Sequence, residues 1–173
     1  MNETIKTITN RRSIRSYLPD EIPEETLEEI LKAGTYAATG MGMQSPVIVA
    51  VTNKEVRDEL SKMNAEIMGT DTDPFYGAPV VVIVLADKNR PTYVYDGTLV
   101  MGALMDAAYS LGIGSCWIHR AKEEFESPKG KALLKEWGIE GDYEGIGHCI
   151  LGYPKGELPK AKPRKEDYIR RIK

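Results

Sequence analysis

Apolar residues along the chain follow two rhythms, and each predicts its own kind of element. Between 24 and 33, Leu27, Ile30 and Leu31 share one helical face, with Pro23 ahead and Gly34 as a stop, so the spacing predicts a helix over 24–33. Residues 46–52 are apolar and β-branched, which predicts a buried strand. Val56, Leu60, Met63 and Ile67 then return to helical spacing over about 54–68. Gly69 to Gly77 is polar and turn-rich, so it reads as a loop able to act as a lid. Residues 80–85 are apolar at every position, the pattern of a central strand covered on both faces.

The next predicted helix, over 95–111, is small and apolar over most of its surface, with Gly112 at its end. A helix of that kind is buried on more than one side, inside a domain or between subunits. A short strand over 115–118, a helix over 128–137 stopped by Gly138, and a last strand over 147–153 complete the pattern. From Pro154 to Lys173 the chain is basic, contains proline and shows no period, so 154–173 is expected to run extended over another surface. Strands and helices alternate unevenly. The expected fold is one α+β domain over 1–173, a sandwich of helices around a mixed four- to five-stranded sheet, with an α/β arrangement as the variant.

Composition narrows the class of protein. The 173 residues are 42% hydrophobic and 28% charged, an ordinary globular profile with enough chain for a core. A net charge of −3 argues against nucleic acid as a partner. No apolar run approaches the roughly 20 residues of a membrane span. The first residues carry no signal-peptide core, and two cysteines make no disulfide framework, so a cytoplasmic location is expected.

Against that background Arg11-Arg12-Ser13-Ile14-Arg15-Ser16-Tyr17 stands out as three arginines within five residues. Guanidinium forks suit phosphate, which they grip by paired, charge-assisted hydrogen bonds, and Ser13 adds a donor. The alternative is a solvated basic edge. The segment Ala37 to Pro46 is a second candidate: small residues let a ligand approach the backbone, and Gln44 offers a donor and an acceptor to the edge of a heterocycle. Its alternative is an ordinary turn.

Other chemistries fit poorly. No P-loop is present, and the Gly-x-Gly pieces lack the third glycine of a dinucleotide fingerprint. Cys116, His119, His148 and Cys149 could ligate zinc. On strands, however, Cys116 and His119 point to opposite faces, as do His148 and Cys149, so four ligands do not converge. The expectation is no metal, with the cysteines as small buried hydrophobes and each histidine partly exposed.

Taken in order, these segments resemble the FMN-dependent nitroreductase family. The arginine segment is similar to that family's opening motif, and the loop ending Gln44-Ser45-Pro46 to its second cofactor loop. Residues 106–118 resemble its central helix running into a strand. Ile150-Leu151-Gly152-Tyr153-Pro154 and Lys162-Pro163-Arg164-Lys165 resemble its C-terminal signature. The resemblance spans nearly the whole chain. It implies a domain-swapped homodimer with two FMN sites at the interface. It implies that Arg11 and Ser13 hold the FMN phosphate, with Arg12 close by, and that Arg15 sits near the pyrimidine edge of the flavin. Ala38, Thr39, Gly40 and Gln44 would come from the partner subunit, the backbone at Trp117, Ile118 and His119 would flank the ring, and Lys162 or Arg164 would complete the phosphate site.

The activity it implies is reduction of a small nitroaromatic or quinone acceptor by NAD(P)H with ping-pong kinetics. The cofactor carries the chemistry, so no catalytic protein acid or base is expected. The alternatives are a specialised flavoprotein (a dehalogenase or an ene-reductase), a flavin-binding redox sensor without turnover, and an unrelated phosphate-ligand binder. Gly42 stands where the family often has asparagine, and the chain is short for the family, so substrate range does not transfer.

Overall fold

The computed structural model describes all of residues 1–173. Its elements run α1 (Glu3–Asn10), α2 (Glu24–Thr35), β1 (Pro46–Val51), α3 (Lys54–Met68), β2 (Val80–Asp87), α4 (Tyr93–Ser110), β3 (Gly114–Ile118), α5 (Ala121–Glu126), α6 (Pro128–Glu136) and β4 (Tyr143–Gly152). The four strands form one antiparallel sheet in the order β1-β2-β4-β3. The mixed character expected of the sheet is reduced to one isolated parallel bridge, Ser13 to Ser115.

Alternation along β2 builds two cores. Val81, Ile83 and Leu85 face α3, α5 and α6, packing with Leu60, Phe75 and Phe125. Val80, Val82 and Val84 face α2 and α4, packing with Ile30, Met101 and Leu104. A continuous apolar run is required because both faces of this central strand are covered. The result is a helix–sheet–helix sandwich of the α+β type.

Several predicted boundaries move. Helix α2 passes through Gly34 to Thr35, so Gly34 is no stop. A Cβ there would lie 2.7 Å from a Leu104 methyl, and its absence lets α2 and α4 pack closely. Helix α4 begins at Tyr93 and ends at Ser110 rather than spanning 95–111. Strand β4 begins at Tyr143, four residues before the expected 147. There the register shifts opposite Val84 and Leu85, and Gly145 and Gly147 interrupt the apolar pattern that marks a strand. Helices α1 and α5 have no counterpart in the prediction. Helix α1 buries no residue and so shows no core-facing stripe, and α5 is only six residues long.

The 69–77 loop is tied down rather than free to act as a lid. Asp73 accepts hydrogen bonds from Arg57, Ser61 and the backbone N–H groups of Phe75 and Gly77, at 2.5 to 2.8 Å. Phe75 and Ala78 are fully buried beside it. Burial alone would push the Asp73 carboxyl up, but the donors from Arg57, Ser61, Gly77 and Phe75 outweigh it and hold the group below its ordinary range.

Candidate functional site

Helix α1 ends where the arginine segment begins, with the Arg11 N–H bonded to the Thr7 carbonyl. From there the chain runs extended alongside β3: the Ile14 N–H donates to Ser115 O at 2.9 Å. Extended backbone sends alternate side chains to opposite sides. Burial raises the thiol of Cys116 on β3, while the charges of Arg15 and Arg11 and the Ser13 hydroxyl pull it back, so all three act on the same point of β3. Arg12 Nη1 donates to the carbonyls of Thr9 and Arg11, its Nε is buried with no hydrogen-bond partner in the chain, and with Ile14 and Tyr109 the residue lines a cavity of about 280 Å³.

Arg11 is held in place from α4, its Nε lying 3.5 Å from Asp106. That contact leaves Arg11 Nη1 buried with no hydrogen-bond partner in the chain. A buried guanidinium nitrogen without an acceptor is costly. An anion at this position would satisfy it, and Ser13 and Arg15 are beside it to share the charge.

The second segment is organised by a residue the pattern of motifs did not single out. Asp96, 3% exposed in the first turn of α4, accepts from the Gly40 N–H at 2.9 Å, from Thr92 Oγ1 at 2.9 Å and from Ser45 Oγ at 3.2 Å. Thr39 Oγ1 accepts from the Gln44 N–H at 3.0 Å. Between these ties Met41, Gly42 and Gln44 all have positive φ. Two of the three are not glycine, and each such residue costs about 1–2 kcal/mol that the surrounding bonds must offset. Gly40 is required for closeness: a Cβ there would fall 2.3 Å from Thr92 Oγ1. Ala38 and Gln44 are exposed and Thr39 and Gly40 are half-buried, so the loop faces outward on a firm base.

Asp96 and Asp106 are the only charged residues of α4, and that isolation within an apolar helix is the signal that could have found them. Each anchors one half of the candidate site. They are ten positions apart (106 − 96), which is about 15 Å along the helix axis.

Trp117 is half-buried, Ile118 buried and His119 exposed, where β3 ends. The next residue, Arg120, has φ 77°, a left-handed conformation. The expectation that both histidines are partly exposed fails for His148. It is fully buried on β4, against Phe75 and Phe125 and 3.1 Å from Glu124. The chain leaves β4 beside the arginine segment, with Leu18 N–H bonded to Tyr153 O and Lys155 N–H to Ser16 O. Beyond this the tail is exposed. Lys162 and Arg164 make no hydrogen bond or ion pair with the rest of the chain. No group of three or more potential metal ligands occurs, and no helix is long and apolar enough to cross a membrane. Cys149 is fully enclosed, and burial pushes its thiol up to about 12.

Residues 8–73 match the sequence profile of the Nitroreductase family. A protein of Archaeoglobus fulgidus, provisionally named an NADH dehydrogenase/NAD(P)H nitroreductase, is 32% identical over 162 residues, 91% of this chain and 88% of that one. An NADPH-flavin oxidoreductase of Vibrio harveyi is 30% identical over 98% of this chain and 72% of its own. The fold matches a nitroreductase with bound FMN from Bacteroides fragilis with a TM-score of 0.91, at 30% identity and over 100% of both chains.

Proposed function

The chain belongs to the nitroreductase family, and we propose that it is an FMN-dependent oxidoreductase that takes reducing equivalents from NAD(P)H and passes them to a small nitroaromatic or quinone-type acceptor. The observation that carries this reading is Arg11, whose buried Nη1 has no acceptor in the chain, two residues from Ser13 in the segment that runs alongside β3. The donor set fits a phosphate monoester. In this reading Arg11 and Ser13 hold the FMN phosphate, Arg15 lies toward the pyrimidine edge of the ring, and the backbone at Trp117, Ile118 and His119 flanks it. Arg12, whose Nη1 is spent on Thr9 and Arg11 but whose buried Nε has no acceptor, lies close by.

FMN, when bound, supplies the hydride chemistry that links NAD(P)H to the acceptor in two half-reactions. The protein's part is to bind, to orient and to set the local charge. Positive charge from Arg15 favours the reduced cofactor, which is the more negative of the two forms.

The same reading needs a second copy of the chain. The loop that carries Ala38, Thr39, Gly40 and Gln44 is tied through Gly40 to Asp96, at the other end of α4 from the Asp106 that holds Arg11, and its residues would serve the partner's cofactor. The outer face of α4 is suited to that contact. Tyr95 is 71% and Leu99 51% exposed, and a methyl added at Gly102 would meet no atom within 4 Å. The basic tail, with Lys162 and Arg164, would cross onto the partner and add to the phosphate site. A yellow protein that releases FMN on heating, and whose visible absorbance bleaches when NADH or NADPH is added without oxygen, is the expected result. Release of FAD, or no flavin at all, would overturn the reading.

A further inference from the structure

Between α3, α5 and the end of β3 lies a buried polar chain that the proposed activity does not use. Asn64 on α3 is completely buried, and its amide is spent in two directions. Its Oδ1 accepts from Arg120 Nε at 2.9 Å. Its Nδ2 donates to Glu124 Oε2 at 3.0 Å and to the carbonyl of His119 at 2.9 Å. Glu124 and His148 are both fully buried. The His148 ring lies 3.1 Å from the same Glu124 oxygen but out of line for a hydrogen bond, and the other Glu124 oxygen has no partner. The Asn64 amide therefore bridges two side chains, its carbonyl toward the Arg120 guanidinium and its amide hydrogens toward the Glu124 carboxyl group.

Two of the three groups bonded to Asn64 belong to the turn that ends β3. Arg120 sits at φ 77°, a conformation that residues other than glycine, asparagine and aspartate seldom adopt, and a non-glycine residue there must be held by its surroundings. Its side chain makes no other hydrogen bond in the chain. We propose that Asn64, fixed between Glu124 and Arg120, is a positioning residue that holds the left-handed turn at Arg120 and so shapes the Trp117–His119 backbone for the flavin ring. The inference rests on the reading that this backbone flanks the ring. It assigns to α3, on the far side of the turn, a part in ring binding but none in phosphate binding.

The test titrates full-length protein, freed of flavin, with FMN and with riboflavin, following flavin fluorescence. Asn64→Ala removes both bonds to the turn. Affinity for the two ligands should fall by the same factor, about five- to tenfold for a loss of the order of one hydrogen bond. Arg120→Gly and Arg120→Ala form the second arm, and they do not depend on the buried asparagine variant folding. Both lose the tie to Asn64. Glycine adopts the left-handed turn freely, while an untied alanine leaves it and must be forced back on binding. Riboflavin should therefore bind the alanine variant more weakly than the glycine variant, by about five- to tenfold. Equal affinities for the Arg120 pair, or an Asn64→Ala protein that binds both flavins as the parent does, would overturn the positioning role alone. A parent protein that takes up neither flavin would overturn the cofactor reading, and this inference with it.

Discussion

Arg11→Ala separates the phosphate site from everything else the residue does. Two effects compete. The first is loss of the ion pair with Asp106, whose nearest atoms are 3.5 Å apart and whose side chains are 26% and 39% exposed. A pair so wet contributes at most about 1 kcal/mol, which in a chain of this size moves the melting temperature by roughly 2–4 °C. The second is loss of a charge-assisted hydrogen bond from a buried nitrogen to phosphate, worth about 1.5–3 kcal/mol. That loss weakens FMN binding roughly ten- to a hundredfold, and the ligand effect dominates. Riboflavin lacks the phosphate, so its affinity should change little. Arg11→Lys should fall between, because it keeps the charge but loses the planar fork. Raising the salt concentration should weaken FMN binding to the parent more than to Arg11→Ala. Fluorescence titration of the three proteins with both flavins measures all of this. Equal losses for FMN and riboflavin would refute the reasoning, since they would show that Arg11 does not touch the phosphate.

Arg15→Gln keeps a hydrogen-bond donor and removes the charge. Because Arg15 is exposed, a screened interaction of about 1 kcal/mol should lower the two-electron midpoint by on the order of 20 mV in spectroelectrochemical titration; an unchanged midpoint with FMN bound excludes the role given to it. Asp96→Ala leaves the half-buried Gly40 N–H without its acceptor and releases Thr92 and Ser45, so urea unfolding should show a loss of about 1–3 kcal/mol and the Gly40 amide should exchange faster; an unchanged midpoint with a protected amide contradicts the loop's dependence on Asp96. Asp73 is held below its ordinary range in the folded protein, so its stabilisation is complete above the unfolded-state value of about 4 and is lost as pH falls through the lower folded value. The parent should therefore be more stable than Asp73→Asn at neutral pH, and the gap should close on acidification toward pH 3; a gap independent of pH would show that the charge on Asp73 is not what holds the 69–77 loop.

Local pattern was enough to find β1, β2, β3, α3 and α6 almost to the residue, because each buries a stripe or run of side chains that a period of 3.6 or 2 reveals. It was enough, too, to mark the arginine segment and the Gln44 loop, since guanidinium density and a glycine-rich turn are properties of neighbours in sequence. It missed α1, which buries nothing, and it misplaced the start of β4, where glycines needed for close approach of Ala121 and Trp117 interrupt the apolar run. What decides the site lies beyond that reach. The arginine segment is set against β3 by the Ile14–Ser115 hydrogen bond. Gly40 answers to an aspartate 56 positions away, and Asn64 answers to Arg120 across the same span. A single aspartate or asparagine in an apolar stretch carries no period of its own. Only packing of the helices on the sheet removes water from such a side chain, and its hydrogen bonds then acquire the strength to fix the loops around it.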